Sequence, residues 1–324
     1  MMNKKEKIKF LIKKYIINFF KLNILVKLYN SISIYNKEKI PLYADSNTLE
    51  KAITTIERYR EIISDPINLL IDRVPEAGYV DANNCVTVHN GNKVPILGDL
   101  VYYDNFSQIL IINRGVHEPL EEYCFQQTLK NIKSELPSMI ELGAYWAHYS
   151  MWFMKEFSRG KCFLIEPNLQ YLECGKNNFR INKFEGEFIN NLVDSSESGF
   201  QLDKFIQKKK LNSLDVLHAD IQGYEIEMID GCSLSLQKKI INYIFISTHS
   251  ESLHKTALNK LVSFGYRIEI SSEFNYHTTS SDGFIMASSP KINPIFNNFL
   301  PLGRVDIIKS TPQEIIKYLI STSK

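Results

Sequence analysis

The sequence predicts an α/β fold: a mostly parallel sheet with helices on both faces, closed by an antiparallel strand pair and preceded by a helical and β-hairpin prelude. Three observations carry this. From residue 138 onward, short and nearly continuous apolar runs alternate with helical stretches, as expected of strands buried on both faces. The run Met139 to Leu142 breaks at Gly143 and turns into an apolar helical stretch near Tyr149, the strand-glycine-helix unit of ligand-binding parallel sheets. Polar residues then recur where successive strands leave the core: Glu141 and Gly143, Glu166, Asp194, Asp220 and His249. Any one of them is what a strand end requires. Five in succession mark the rim where such sheets bind ligands.

The elements follow in order. Residues 1–45 form a basic, apolar segment, expected to be helical. Residues 46–130 make the prelude. It comprises a helix over 46–72, with Ile53, Ile56, Tyr59, Ile62 and Ile63 near helical spacing, and a hairpin over Val86 to Val94. Asn90-Gly91 is the preferred pair for a two-residue primed turn in that hairpin. Leu110 to Ile112 reads as a further strand. Arg114 to Pro119 reads as a loop before a helix over Leu120 to Lys133. Residues 131–290 carry the sheet. Its strands are expected at Met139 to Leu142, Lys161 to Ile165, Phe188 to Val193, Leu214 to Ala219 and Tyr243 to Ile246, with Tyr266 to Ile270 and Phe284 to Ala287 as the closing pair. Residues 291–324 are an irregular stretch and a last helix. Thr311-Pro-Gln-Glu314 is its start signal: threonine as N-cap, proline at the first position, glutamate at the third.

Charge and cysteine usage narrow the class. The net charge of the 324 residues is +2, yet residues 1–40 hold ten lysines against Glu6 and Glu38, so the remainder is acidic and offers nucleic acid no electrostatic footprint. The basic segment suits either a cap helix with a solvated lysine face or an interfacial helix on an anionic membrane, and the lack of a clean apolar stripe favours the cap. Its lysines interrupt it too often for a bilayer span. The five cysteines are odd in number and none pairs at C-x-x-C spacing, which predicts free thiols in a reducing, cytoplasmic setting and no structural zinc.

Glu166 lies about 20 residues after the glycine turn, where a carboxylate accepts hydrogen bonds from two vicinal ribose hydroxyls. The turn itself lacks the further glycines of a dinucleotide fingerprint: Ala144, Tyr145, Trp146 and Ala147 follow Gly143. A pyrophosphate needs that close backbone approach and a nucleoside without phosphate does not. The ligand therefore tilts from a nicotinamide dinucleotide towards S-adenosylmethionine.

These residues resemble the FkbM-type S-adenosylmethionine-dependent methyltransferases over roughly Arg114 to Ala287. The resemblance rests on Ile140-Glu-Leu-Gly-Ala144, on Ile165-Glu-Pro167 with Asn178 and Asn182, and on Val193-Asp-Ser195 with Gly199. It rests most on Asp220-Ile-Gln-Gly-Tyr-Glu225, the family's D-x-E/Q-G-x-E signature, closed by Gly231. Ile246-Ser-Thr-His-Ser250 and Asp282-Gly283 resemble elements of one branch, and Arg114-Gly-Val-His-Glu-Pro119 resembles the G-x-x-E-P entry that precedes the fold. The first motif departs from the family in carrying Glu141 for the usual aspartate and Ala147 for the usual second glycine.

The resemblance implies a Rossmann-like methyltransferase fold and methyl transfer to an oxygen, often a hydroxyl of a sugar or glycan. Glu141, Gly143, Ala144, Glu166, Asp194 and Asp220 are then the expected cofactor residues, and Glu118, Gln222, Glu225 and Asp282 the expected acceptor residues. An alcohol is a poor nucleophile at neutral pH and needs a base or a metal. His249 is the expected base, since its free pKa lies near the operating pH, with Asp220 orienting it or holding the hydroxyl. His218 shares the Asp220 face in strand alternation and is expected to be a buried, packed histidine. Asp220, His249 and Asp282 are the alternative ligands of a divalent cation, which their spacing does not itself support. Two other functions compete: a nicotinamide-dependent sugar oxidoreductase and a non-catalytic binding module in glycan assembly.

Overall fold

The computed structural model describes residues 55–102, 107–193, 199–275, 277–297 and 299–322. The expected segment 1–45 and Asp194 lie outside the described residues.

Seven strands form the central sheet: β3 (Ser138–Leu142), β4 (Lys161–Ile165), β5 (Glu187–Ile189), β6 (Leu214–Ala219), β7 (Ile241–Thr248), β8 (Arg267–Ser272) and β9 (Gly283–Ser288). Their spatial order is β5-β4-β3-β6-β7-β9-β8. The first five run parallel, and β9 pairs antiparallel with both β7 and β8. This is the expected Rossmann-like α/β sheet with its closing pair. The chain leaves β3 to build β4 and β5 on one side, then crosses to build β6 and β7 on the other. The strand order therefore reverses between β3 and β6, and ligands bind in the crevice at such a reversal.

Alternating side chains serve the two faces. Met139, Leu164, Val216 and Phe245 belong to one buried cluster, and Ile140, Leu142, Leu217 and Ile244 to the other. The first cluster also takes in Ile62, Val86, Val88 and Phe125 from the segments before the sheet. These segments are α1 (Thr55–Ser64), the hairpin β1 (Cys85–Thr87) and β2 (Lys93–Pro95), α2 (Gln108–Ile112) and α3 (Pro119–Asn131). They pack on the same face as α4 (His148–Glu156). The second cluster lies beneath α6 (Leu202–Lys209), α7 (Glu225–Gly231), α8 (Ser233–Gln237) and α9 (Glu251–Ser263), while α5 (Leu169–Asn182) packs beside α4.

Three local expectations are corrected. Gln108–Ile112 is a short helix rather than a strand, with Asn113 N donating to Ile109 O at 2.8 Å; short apolar runs do not distinguish the two. The hairpin turn is longer than two residues. Val88 N donates to Asn92 O and Gly91 N to Val88 O, both at 2.8 Å, with Gly91 at φ 88°. That is a three-residue turn with a left-handed glycine, the next most common hairpin connection. The irregular stretch after β9 contains a short helix, α10 (Arg304–Lys309). The last helix, α11 (Pro312–Thr322), begins as read: Thr311 N and Oγ1 donate to Glu314 Oε2 at 2.7 and 2.8 Å.

Candidate active site

Gly143 and Asp220 meet at the strand-order reversal. Asp220 N donates to Leu142 O at 3.0 Å, and Gly143 sits at φ 74°. A Cβ on Gly143 would lie 1.7 Å from the Asp220 carbonyl oxygen, so only glycine fits this turn. Gly143 N and Ala144 N both donate to Ile165 O, at 2.9 and 3.1 Å, which fastens the turn to the end of β4. Glu166 follows that strand. Its Oε1 accepts from Asn168 N at 2.9 Å and its Oε2 from Tyr145 N at 3.2 Å. Burial raises its pKa and the two backbone amides work against the rise. Gly143, Tyr145, Glu166, Tyr171, Leu192 and Tyr224 are among the walls of a cavity of about 200 Å³. The rings of Tyr145 and Tyr171 lie 4.2 Å apart there.

A second cavity, of about 570 Å³, opens on the other side of the turn and shares Gly143, Tyr145, Asp220 and Gln222 with the first. His249 projects into it from the end of β7 and is surrounded by carboxylates. Its Nδ1 lies 2.8 Å from Glu225 Oε1, and its Nε2 lies 3.2 Å from Asp220 Oδ1 and 3.6 Å from Asp282 Oδ1. Burial acts to lower its pKa, but the contacts with Asp220 and Glu225 and the charge of Asp282 outweigh it and lift the group to about 10. At neutral pH His249 is therefore an imidazolium. The expectation of a free base near pH 7 is corrected, because an isolated histidine titrates there and one among three carboxylates does not.

Four residues of this rim fall within a recognised family stretch. The family model described as a methyltransferase FkbM domain matches residues 198–268, from before α6 to the first two residues of β8, including Asp220, Gln222, Glu225 and His249. Over that stretch the chain matches an FkbM-type methyltransferase domain. No curated protein matches it in sequence. Among solved structures it is similar to a precorrin-6y C5,15-methyltransferase from Geobacter metallireducens, at 16% identity over 52% of this chain and 88% of that one, TM-score 0.38. It is also similar to M. capricolum TrmK in complex with S-adenosyl-homocysteine, at 14% identity over 61% and 82%, TM-score 0.37. A third is Aeropyrum pernix fibrillarin with bound S-adenosyl-L-methionine, at 14% identity over 51% and 74%, TM-score 0.34.

In this methyltransferase domain the first cavity fits the adenosyl donor. Glu166 keeps acceptor capacity for hydroxyls beyond its two amide bonds, and the walls otherwise combine tyrosine rings with aliphatic side chains. Gly143 fits as well, with a reason the sequence alone did not separate: it makes room for the Asp220 backbone. Glu141 and Ala144 line the larger cavity rather than the smaller. The buried Glu141 carboxylate accepts from Ser150 N at 3.1 Å in the first turn of α4.

Of the expected acceptor residues, Glu118, Gln222 and Asp282 line the large cavity. Glu225 does not. It has no exposed surface, and its Oε1 is occupied by His249 Nδ1 and by Gly223 N at 3.1 Å. It positions His249, and its expected contact with the acceptor is corrected. His218 is buried as expected, with Nε2 2.7 Å from Glu121 Oε1.

The sequence did not single out the back wall. His117, Trp146, His148 and Tyr149 line the large cavity, and Glu121 and Glu122 stand behind it. Glu118 Oε2 accepts from the Tyr149 hydroxyl at 2.8 Å, and burial, with the charges of Glu121 and Asp220, pushes its pKa up to about 8. Burial also raises Glu121, whereas His89 and His117 outweigh burial at Glu122 and hold it well below the usual carboxylate range. The signal was present in Glu118, Glu121 and Glu122, acids clustered next to the apolar run Tyr123-Cys-Phe125 of a helix. Among the described residues, no helix is long and apolar enough to cross a membrane.

Proposed function

We propose that the domain methylates a hydroxyl oxygen of a sugar or glycan with S-adenosylmethionine as donor. One observation carries the reading: the cavity that holds Glu166 and the cavity that holds the His249 cluster meet at Gly143, Tyr145, Asp220 and Gln222. A donor on one side and an acceptor on the other would face each other across those residues. The large cavity supports a sugar. It offers carboxylates at Asp220 and Asp282 to accept from hydroxyls, the carboxyl of Glu118 beside them, and rings at Tyr102, Trp146, Tyr149 and Phe274 to lie against apolar sugar faces.

The donor supplies an electrophilic methyl group. The acceptor oxygen forms the new O–C bond as the donor's S–C bond breaks, and the hydroxyl proton must leave. With His249 held as a cation, Asp220 takes that proton. The His249 imidazolium, fixed from behind by Glu225, holds the Asp220 carboxylate aimed into the cavity. Incubating the protein with labelled donor and a panel of sugars and oligosaccharides, then analysing products by mass spectrometry, tests the proposal. Methyl ethers are the expected products. Methylation confined to nitrogen or carbon, or no methylated sugar from the panel, contradicts it.

A further inference from the structure

Behind the large cavity, three buried side chains from three separate elements point at one another. His89 comes from the turn of the β1–β2 hairpin, Glu122 from the first turns of α3, and His148 is the first residue of α4. His89 and Glu122 have no exposed surface and His148 is 2% exposed. Glu122 Oε2 lies 2.8 Å from His89 Nε2 and 3.9 Å from His148 Nε2, and one donor atom from each residue falls within 4.8 Å of the other two.

We propose that His89, Glu122 and His148 bind a divalent transition-metal ion of the zinc type. Two imidazoles and a carboxylate are a donor set that such ions take, at about 2.0–2.2 Å per bond, whereas calcium and magnesium favour all-oxygen sets. Glu122 Oε2, both ring nitrogens of His89 and both of His148 lack an aligned hydrogen bond among the described residues, although the His89–Glu122 contact is short. Buried polar groups left in that state are costly, and a shared ion would satisfy Glu122 Oε2 together with one nitrogen of each histidine.

The surroundings are rigid. Glu122 is held through its other oxygen, which accepts from His117 N at 2.8 Å and Glu118 N at 3.0 Å and lies 2.6 Å from His117 Nδ1. The His89 backbone is pinned from both sides. Its N donates to Gly115 O at 3.4 Å, and its O accepts from Val74 N at 2.9 Å. Gly115 passes so close that a Cβ there would lie 2.1 Å from His89 N. Trp146 stacks on His148 at 4.7 Å and Trp152 packs edge-on to His89 at 4.3 Å, giving the site apolar walls. Ligands oriented in this way by neighbouring hydrogen bonds are typical of metal sites. His148 also lines the large cavity, so a fourth position on the ion would be supplied from that side. The ion would tie the hairpin, α3 and α4 into one wall of the acceptor cavity.

The test uses the full chain without a polyhistidine tag. Elemental analysis of the purified protein should find about one transition-metal ion per chain. Protein stripped with a chelator should take up cobalt(II) with a visible ligand-field spectrum. His148→Ala should weaken cobalt uptake by more than the roughly 10–100-fold that losing a ligand's hydrogen-bond partner costs, while Asp282→Asn takes it up normally. A cooperative melting transition in each variant separates lost binding from lost folding. If His148→Ala does not fold, His89→Gln and Glu122→Gln serve in its place. The proposal is overturned if the folded wild-type chain neither contains a transition metal nor takes up cobalt. It is equally overturned if uptake survives His148→Ala and is lost in Asp282→Asn, which would place the ion at the His249 cluster.

Discussion

His249 Nδ1 lies 2.8 Å from Oε1 of Glu225, a carboxylate with no exposed surface. The contact fixes which ring nitrogen faces the cavity, because Nδ1 is committed inward and only Nε2 meets Asp220 and Asp282. A buried carboxylate behind an exposed ring edge is a positioning device. Glu225→Gln keeps the shape and removes the charge, so the His249 pKa should fall and kcat should drop by about tenfold or more, while the Kd for S-adenosylhomocysteine stays within a few-fold. NMR titration of the His249 ring, with steady-state kinetics, checks both.

Stability should fall with rising pH. The His249 pKa is raised from 6.5 to about 10 in the folded chain, so its contribution is fully present below pH 6.5 and is lost as pH climbs through 10. Glu118, raised from 4.5 to about 8, acts with the same sign over pH 4.5 to 8. Melting curves of wild type and His249→Gln should converge as pH rises from 7 to 10. Parallel curves over that interval would mean that His249 is not the group responsible.

Gly143→Ala should destabilise the chain by about 2–6 kcal/mol, the combined cost of a strained positive φ and a buried collision. The alanine methyl has nowhere to go, since its position lies 1.7 Å from the Asp220 carbonyl oxygen. Gly223→Ala is the control. Its φ is also positive, at 108°, but nothing lies within 4 Å of a Cβ there, so it should lose less. Chemical denaturation of the two variants compares them.

In the proposed reaction Glu166 acts on donor binding. A hydrogen bond to a charged group is worth about 1.5–3 kcal/mol, so Glu166→Ala should weaken S-adenosylhomocysteine roughly ten- to a hundredfold by calorimetry. Unchanged affinity would remove Glu166 from the donor site.

The sheet was legible because its strands are buried on both faces and announce themselves as apolar runs, from Ser138–Leu142 through Ile241–Thr248. The strand-end residues were legible for the same reason. Glu225 was legible as part of a motif but not in its role, because its burial beneath His249 depends on how α7 docks against β7. His89, Glu122 and His148 were not legible as a group. They lie on separate elements outside the motif, and only the packing of the hairpin, α3 and α4 brings them together. The His249 pKa was misjudged because Asp220, Glu225 and Asp282 act on it jointly and arrive from three places in the chain.

In the proposed reaction Asp220 serves chemistry while Glu166 serves donor binding. The most direct measurement sets Asp220→Asn beside wild type, with kcat for methyl transfer to the sugar found in the panel and Kd for S-adenosylhomocysteine. Removing a proton acceptor typically costs about 10²–10⁴-fold in rate, so kcat should fall by that factor with Kd changed no more than a few-fold. Near-normal kcat in Asp220→Asn, or an equal loss in donor affinity, would contradict the account.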